Sequence, residues 1–147
     1  HGTGSDGEHD GSLKRYSNIE GSEASSRAAF MTRSWYVGRY GTSLRLDGLD
    51  STNSNALPRA IVMHPASYAT PGHVDRWGRL GRSNGCFAMG PEQFDRALID
   101  LSGGRLLVSG SYGIAQDGSA VSPPIAQYDL LRRPDGTTFS RTSPSAY

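Results

Sequence analysis

The chain has 147 residues, among them 19 glycines and 8 prolines, and a net charge of +1 at pH 7. This length suits one domain with a real core, and the turn-forming residues predict many short strands. The near-neutral charge gives no general electrostatic case for nucleic-acid binding, and no apolar run approaches the roughly 20 residues that span a bilayer. A single cysteine forms no internal disulfide and is too few for a cysteine-rich zinc site.

The first part of the chain is predicted to be a polar loop followed by two strands. Residues 1–27 are rich in Gly, Ser, Asp and Glu and show no periodic segment, which indicates a loop. Aromatic and β-branched residues at 28–38 predict a strand, and leucines alternating with charged residues predict a half-buried strand at 42–49. Residues 50–58 are dense in turn formers.

The middle of the chain combines a short apolar run with a long irregular segment. The run RAIVMH at 59–64 predicts a strand buried on both faces that ends at His64. Residues 65–85 are predicted to be mostly irregular, with one helical turn around 72–77. Loops of this length in compact domains are typically functional or disordered.

The clearest helix is predicted at 90–104, where Pro91 suits the first turn. Three apolar residues share one face of this helix, namely Phe94, Leu98 and Leu101. Residues 105–113 predict a further strand, and 132–139 predict a hairpin or loop. The pattern as a whole predicts an α+β or mainly β fold.

The residues best suited to chemistry are Cys86 and His64. Cys86 follows a Ser-Asn-Gly turn ahead of the predicted helix, and His64 ends a predicted strand. A nucleophilic thiol needs a lowered pKa, which an imidazole or a helix N-terminus supplies, so we expect a depressed pKa for Cys86. Gly85 would let the backbone N–H groups at 85 and 86 turn toward one point, as an oxyanion hole requires.

The residues alone leave other interpretations open. Cys86 is followed by Phe-Ala-Met and also suits a core position, and His64 also suits a buried structural histidine. A metal site is conceivable from four residues: His64, His73, Asp75 and Cys86. Their spacing matches no standard ligand pattern, so we predict no metal site and no cofactor.

A resemblance favours the catalytic interpretation. The segments IVMH (61–64) and GRLGRSNGCFAM (78–89) resemble the catalytic segment of murein L,D-transpeptidases of the YkuD-like superfamily, in the branch with a Gly-Arg-Ser-x-Gly-Cys motif. The resemblance covers about residues 1–112 and does not extend to the tail, 113–147. It implies a single catalytic domain over 1–147, folded as a β-sandwich with one or two short helices.

Family members usually have a pair of strands before an HGxGS-like segment, whereas this chain starts at HGTGS itself. The resemblance therefore implies a chain that lacks its first strands or a sheet that is completed differently. We expect either a second polypeptide or the tail 113–147 to cover the exposed sheet edge.

The resemblance also implies roles for the residues around the thiol. Cys86 is the nucleophile, His64 is its base, and the Pro65 carbonyl holds the other N–H of the imidazole. Tyr68 resembles an aromatic residue that lines the substrate site.

Four further residues lie in the Gly-Arg-Ser-x-Gly-Cys motif or depart from it. Ser83, Asn84 and Gly85 are implied to orient the thiol or to lie on the oxyanion side, and Arg82 is implied to bind substrate. Asn84 stands where the commoner motif has His, and Pro65 replaces a small residue. These departures leave the Cys–His pair intact and leave the donor residue open.

The implied function is a peptidoglycan L,D-transpeptidase that cross-links stem peptides through a cysteine thioester. The links would be 3→3 from a diaminopimelate donor or 1→3 from an L-Ala donor, with diaminopimelate as acceptor. The partners would be peptidoglycan stem peptides, and the location would be the periplasm or cell envelope, with any signal peptide removed. The alternatives are an L,D-carboxypeptidase or amidase that hydrolyses stem peptides, and a non-catalytic cell-wall-binding domain.

Overall fold

The computed structural model describes residues 1–2, 16–110 and 119. The chain divides into two compact units, His1–Gly110 and Ser111–Tyr147, and the strands and helices reported below all belong to the first.

Three predictions concern residues that are not described. The predicted hairpin at 132–139 lies outside the described residues, and so does the tail 113–147, which was expected to cover a sheet edge, apart from residue 119. The assignment of 1–147 to a single domain stays a prediction.

The strands of the first unit form one five-stranded mixed sheet. They are β1 (Ala28–Gly38), β2 (Gly41–Gly48), β3 (Val62–Pro65), β4 (Phe87–Met89) and β5 (Leu106–Ser109). Their order across the sheet is β4–β3–β2–β1–β5. β1 pairs antiparallel with both β2 and β5, β2 pairs antiparallel with β3, and β3 pairs parallel with β4.

The helical segments lie in the second half of this unit. A 3₁₀ turn at Ser67–Ala69 leads into α1 (Pro71–Trp77), which ends at Gly78 in the left-handed conformation with φ of 71°. The second helix, α2 (Pro91–Leu101), begins with a proline in its first turn, where the missing N–H has no intrahelical partner to lose.

The core lies between the sheet and α2. Its buried residues are Phe30, Leu44, Leu46, Ala56, Ile61, Met63 and Phe94. Met63 of β3 pairs with Leu44 of β2 on one side and with Phe87 of β4 on the other, which joins three strands through side chains of one face. Phe87 in turn meets Phe30 edge to face, with ring centroids 5.4 Å apart.

The predicted α+β, mainly β fold with short helices is confirmed. The strands expected at 28–38 and 42–49 are β1 and β2, and the helix expected within 90–104 is α2. The described residues form one sheet. The sandwich with a second sheet stays a prediction.

Two elements differ from the sequence prediction. The strand expected at 59–64 begins only at Val62, because Arg59 and Ala60 belong to the preceding turn and Ala60 has a positive φ of 54°. The short strand β4 was not predicted, since three residues are too few to show an alternating pattern.

Candidate active site

His64 is held in one orientation by its neighbours. It lies near the end of β3, is 2% exposed, and stacks on the Tyr40 ring with centroids 4.8 Å apart. Its Nδ1 lies 3.0 Å from the Pro65 carbonyl oxygen. Because a carbonyl oxygen only accepts, Nδ1 is the donor in this contact, and in the neutral imidazole the lone pair is then on Nε2. The imidazole is therefore in the tautomer that a general base requires.

The parallel pairing of β3 with β4 brings Cys86 to the same face of the sheet as His64. His64 pairs with Ala88, and side chains alternate along β4, so Ala88 and the preceding Cys86 lie on one face and Phe87 on the other. The core contact of Phe87 with Phe30 agrees with this alternation. A two-residue offset between adjacent strands separates the Cβ atoms of Cys86 and His64 by on the order of 8 Å.

The thiol itself contacts the backbone before β3. Cys86 Sγ lies 3.6 Å from the Ala60 carbonyl oxygen, to which it donates, and it also interacts with the Val62 backbone N–H. Among the described residues, no hydrogen bond joins the thiol to His64. The structure therefore holds a protonated thiol turned toward the backbone, and a rotation about the Cys86 side chain would be needed to reach the imidazole.

Burial raises the pKa of Cys86 above its ordinary value, although part of the residue stays open to solvent. The Val62 N–H, the amino group of His1 and the Arg59 guanidinium oppose this rise, but they do not outweigh the desolvation of the thiolate. The expected depressed pKa is therefore wrong for this conformation. The cause is that the thiol packs against backbone instead of meeting the imidazole.

The turn that carries the thiol is fixed by Ser83 and Gly85. Ser83 is buried, and its hydroxyl donates to the Cys86 carbonyl at 2.6 Å, which closes the turn. Gly85 has a φ of 115°, which residues with a side chain rarely adopt, and a Cβ there would lie 3.0 Å from the Ala24 carbonyl oxygen, so any other residue would be strained. The Gly85 carbonyl accepts a hydrogen bond from the Ser25 hydroxyl at 2.9 Å.

The other predicted site residues are Asn84, Arg82 and Tyr68. Asn84 is exposed and has no hydrogen bond within the described part of the chain. Arg82 forms an ion pair with Glu23 at 3.3 Å. Tyr68 is half-buried, and its carbonyl accepts from the Gly81 N–H at 2.8 Å. Burial raises the pKa of Tyr68, and the nearby Cys86 and Tyr40 add to the rise.

Arg59 contributes to this site and was not predicted from the sequence. Its guanidinium donates four hydrogen bonds of 2.7 to 3.0 Å to the segment 17–26. The acceptors are the Ser17 and Ala24 carbonyls and the Ser22 and Ser26 hydroxyls. The same segment carries Ser25, which holds the Gly85 carbonyl. Arg59 therefore ties the loop beside the thiol turn to the start of β3.

No three His, Cys, Asp or Glu side chains come together as metal ligands among the described residues. No helix in this described part is long and apolar enough to cross a membrane.

Comparison with known proteins finds one family model that matches this sequence. The family model YkuD_2, described as an L,D-transpeptidase catalytic domain, matches residues 1–109. The matched region includes every site residue predicted from the sequence and ends at the last residue of β5. No curated protein and no solved structure matches the chain significantly.

The raised pKa of Cys86 predicts slow alkylation at neutral pH. A raised thiol pKa keeps the reactive thiolate scarce until the pH exceeds that value, so the rate of iodoacetamide labelling should rise with an inflection above about 8.5. The matched control is the same protein in denaturant, where the inflection should return to the ordinary cysteine value. An inflection below that of the denatured chain would contradict the burial argument.

The hydrogen bonds of Arg59 predict a large effect of the variant Arg59→Gln on stability. Loss of several charge-assisted hydrogen bonds should lower the free energy of unfolding by on the order of 2 kcal/mol or more, measured by denaturant titration. Arg27→Gln removes the same charge from an exposed residue of the neighbouring segment and should change it by less than about 0.5 kcal/mol. If the two variants lowered the free energy of unfolding equally, the hydrogen bonds of Arg59 would not stabilise the fold.

Proposed function

The chain belongs to the L,D-transpeptidase catalytic-domain family, and from that premise we propose that it cross-links peptidoglycan stem peptides through a thioester on Cys86. The family's activity is L,D-transpeptidase-type modification of peptidoglycan, which implies action in the cell envelope. The observation that carries the finer proposal is the register of β3 and β4, in which His64 pairs with Ala88, two residues after Cys86.

In the first step, the Cys86 thiol turns from the Ala60 carbonyl toward His64 and gives its proton to Nε2. The thiolate attacks the carbonyl carbon of an L-residue that precedes a D-residue in the stem peptide. The C–N bond then breaks, and the His64 imidazolium protonates the departing amine. The product is a thioester between Cys86 and the donor peptide, and His64 is neutral again.

In the second step, the side-chain amine of diaminopimelate on a neighbouring stem attacks the thioester carbonyl. His64 takes a proton from this amine, the C–S bond breaks, and the thiolate recovers the proton from the imidazolium. The new amide is the cross-link. Hydrolysis would use water in place of the amine, which makes the L,D-carboxypeptidase or amidase the second outcome of the same thioester.

The residues around Cys86 and His64 are positioned to support this chemistry. The contact of His64 Nδ1 with the Pro65 carbonyl suits a base at Nε2, and it needs only a carbonyl, which proline supplies. Ser83 and Gly85 fix the turn whose N–H groups we propose as the oxyanion-side donors. Asn84 is exposed and offers no second imidazole to the thiol, so His64 is proposed as the sole base.

The proposed substrate contacts are those of Tyr68 and Arg82. Tyr68 is half-buried beside the thiol, where an aromatic ring can pack against a peptide. Arg82 forms an ion pair with the Glu23 carboxylate at 3.3 Å. To bind substrate, its guanidinium would have to break this ion pair or contact both groups at once. Both ion-pair side chains are partly exposed, so the exchange requires little energy.

The proposal predicts that the variants Cys86→Ala and His64→Ala lose cross-linking activity. Cys86→Ala should abolish dimer formation from purified muropeptides, and His64→Ala should lower its rate by roughly 10²–10⁴-fold. Ser67→Ala, an exposed serine on the 3₁₀ turn, is the control and should behave as the wild type. Products are separated by chromatography and identified by mass, which also distinguishes 3→3 from 1→3 links.

Two outcomes would contradict the proposal. If the Cys86→Ala variant still formed dimers, the reaction would not proceed through a thioester on Cys86. If the wild-type protein produces shortened stem peptides and no dimers, the chain is a hydrolase and not a transpeptidase.

A further inference from the structure

Tyr40 lies in the two-residue turn that joins β1 to β2. The next residue, Gly41, has a φ of 81°, a conformation that suits glycine and turns the chain back into β2. The Tyr40 ring stacks on the imidazole of His64, with ring planes inclined by 22°. His64 belongs to β3, the strand next to β2 in the sheet. The turn of one hairpin therefore covers a histidine of the neighbouring strand.

The two rings of this stack differ in burial. Tyr40 is 52% exposed, whereas His64 is 2% exposed. An aromatic residue that fills a core buries most of its ring, and Tyr40 instead keeps about half of its surface in water. The contact therefore shapes the surroundings of His64 more than it buries Tyr40.

Two contacts together define the direction of His64 Nε2. The hydrogen bond to the Pro65 carbonyl holds Nδ1, but the second side-chain torsion of histidine has broad minima, so one hydrogen bond leaves the ring plane some freedom. The stack on Tyr40 restricts that plane. Because Nε2 lies in the plane of the ring, its lone pair has one direction only when both the atom and the plane are held.

We infer that Tyr40 is a positioning residue that holds the His64 imidazole in the plane needed for the proton transfers of the proposed reaction. This inference rests on the proposed function. In both steps Nε2 takes a proton and then returns it, so the direction of its lone pair affects each transfer. The face of the Tyr40 ring also attracts the positive charge that the imidazolium carries between these transfers.

Three variants of the full chain separate the ring from its hydroxyl and from the hairpin. Tyr40→Leu removes the ring and keeps apolar bulk, whereas Tyr40→Phe keeps the ring. Tyr36→Leu is the matched control, because Tyr36 belongs to the same hairpin and its ring contacts Arg45 at 4.0 Å. Thermal unfolding is measured for each variant, and the half-exposed position of Tyr40 in a turn predicts little change in Tm for its two variants.

The first measurement is NMR of the His64 side chain at alkaline pH, where histidine side chains are neutral. Its signals are assigned by their loss in His64→Gln. In the wild type, Tyr40→Phe and Tyr36→Leu, the carbon-bound ring protons should show the ring-current shift of a stacked aromatic, with Nδ1 as the protonated nitrogen. In Tyr40→Leu this shift should disappear, and the two nitrogen signals should move toward the average of the two tautomers.

The second measurement is the rate of dimer formation from muropeptides. Tyr40→Leu should lower kcat by roughly tenfold, because a small misplacement of a reacting group slows proton transfer. KM should stay close to the wild-type value, because Tyr40 acts on His64 and not on the substrate. Tyr40→Phe and Tyr36→Leu should both keep the wild-type kcat.

The positioning role is wrong if Tyr40→Leu keeps the wild-type kcat, if Tyr36→Leu lowers kcat equally, or if Tyr40→Phe fails to restore it. The NMR measurement needs no turnover, so the two proposals fail differently. If the wild type forms no dimers while the His64 signals respond to Tyr40→Leu as expected, the proposed reaction is wrong and the hold on the imidazole is supported. If dimers form and Tyr40→Leu leaves the His64 signals unchanged, the positioning role alone is wrong.

Discussion

The parallel pairing of β3 with β4 is the constraint on which the candidate active site depends. It sets His64 opposite Ala88 and so fixes Cys86 on the same face, two residues away. Parallel strands cannot be joined by a tight turn and need a long crossover, which here is the segment 66–86. That crossover contains α1 and the thiol turn. The parallel pairing of β3 and β4 therefore requires a long connection, and this connection contains other residues of the site.

The thiol turn is also supported by polar contacts with the segment 17–26. Arg59 binds the segment 17–26 through four hydrogen bonds, and Ser25 of that segment holds the Gly85 carbonyl. These buried and half-buried polar groups are satisfied by one another, which avoids the penalty of unpaired donors and acceptors. Burial of the thiol raises the pKa of Cys86 even though the Arg59 guanidinium opposes the rise, so a resting Cys86 is protonated and must turn to His64 to react.

Local patterns in the sequence were sufficient for the longer elements and insufficient for the contacts between them. β1, β2 and α2 were predicted because each contains enough residues to show periodicity, and Phe94 was identified on the buried face of α2. β4 is too short for any pattern. The bonds of Arg59 join residues far apart in the chain, and an isolated arginine gives no sign of them. The pKa of Cys86 was predicted in the wrong direction, because desolvation depends on packing that spacing does not reveal.

The central claim, a thioester between Cys86 and the donor peptide, is tested most directly by trapping that intermediate. Wild-type protein is mixed with a tetrapeptide donor in the absence of acceptor, quenched in acid, digested and analysed by mass spectrometry. We predict that the peptide containing Cys86 gains the mass of the acyl group and loses it on treatment with hydroxylamine. Release of the terminal D-residue with Cys86 unmodified at every time point, or with the acyl group on another residue, would contradict the account.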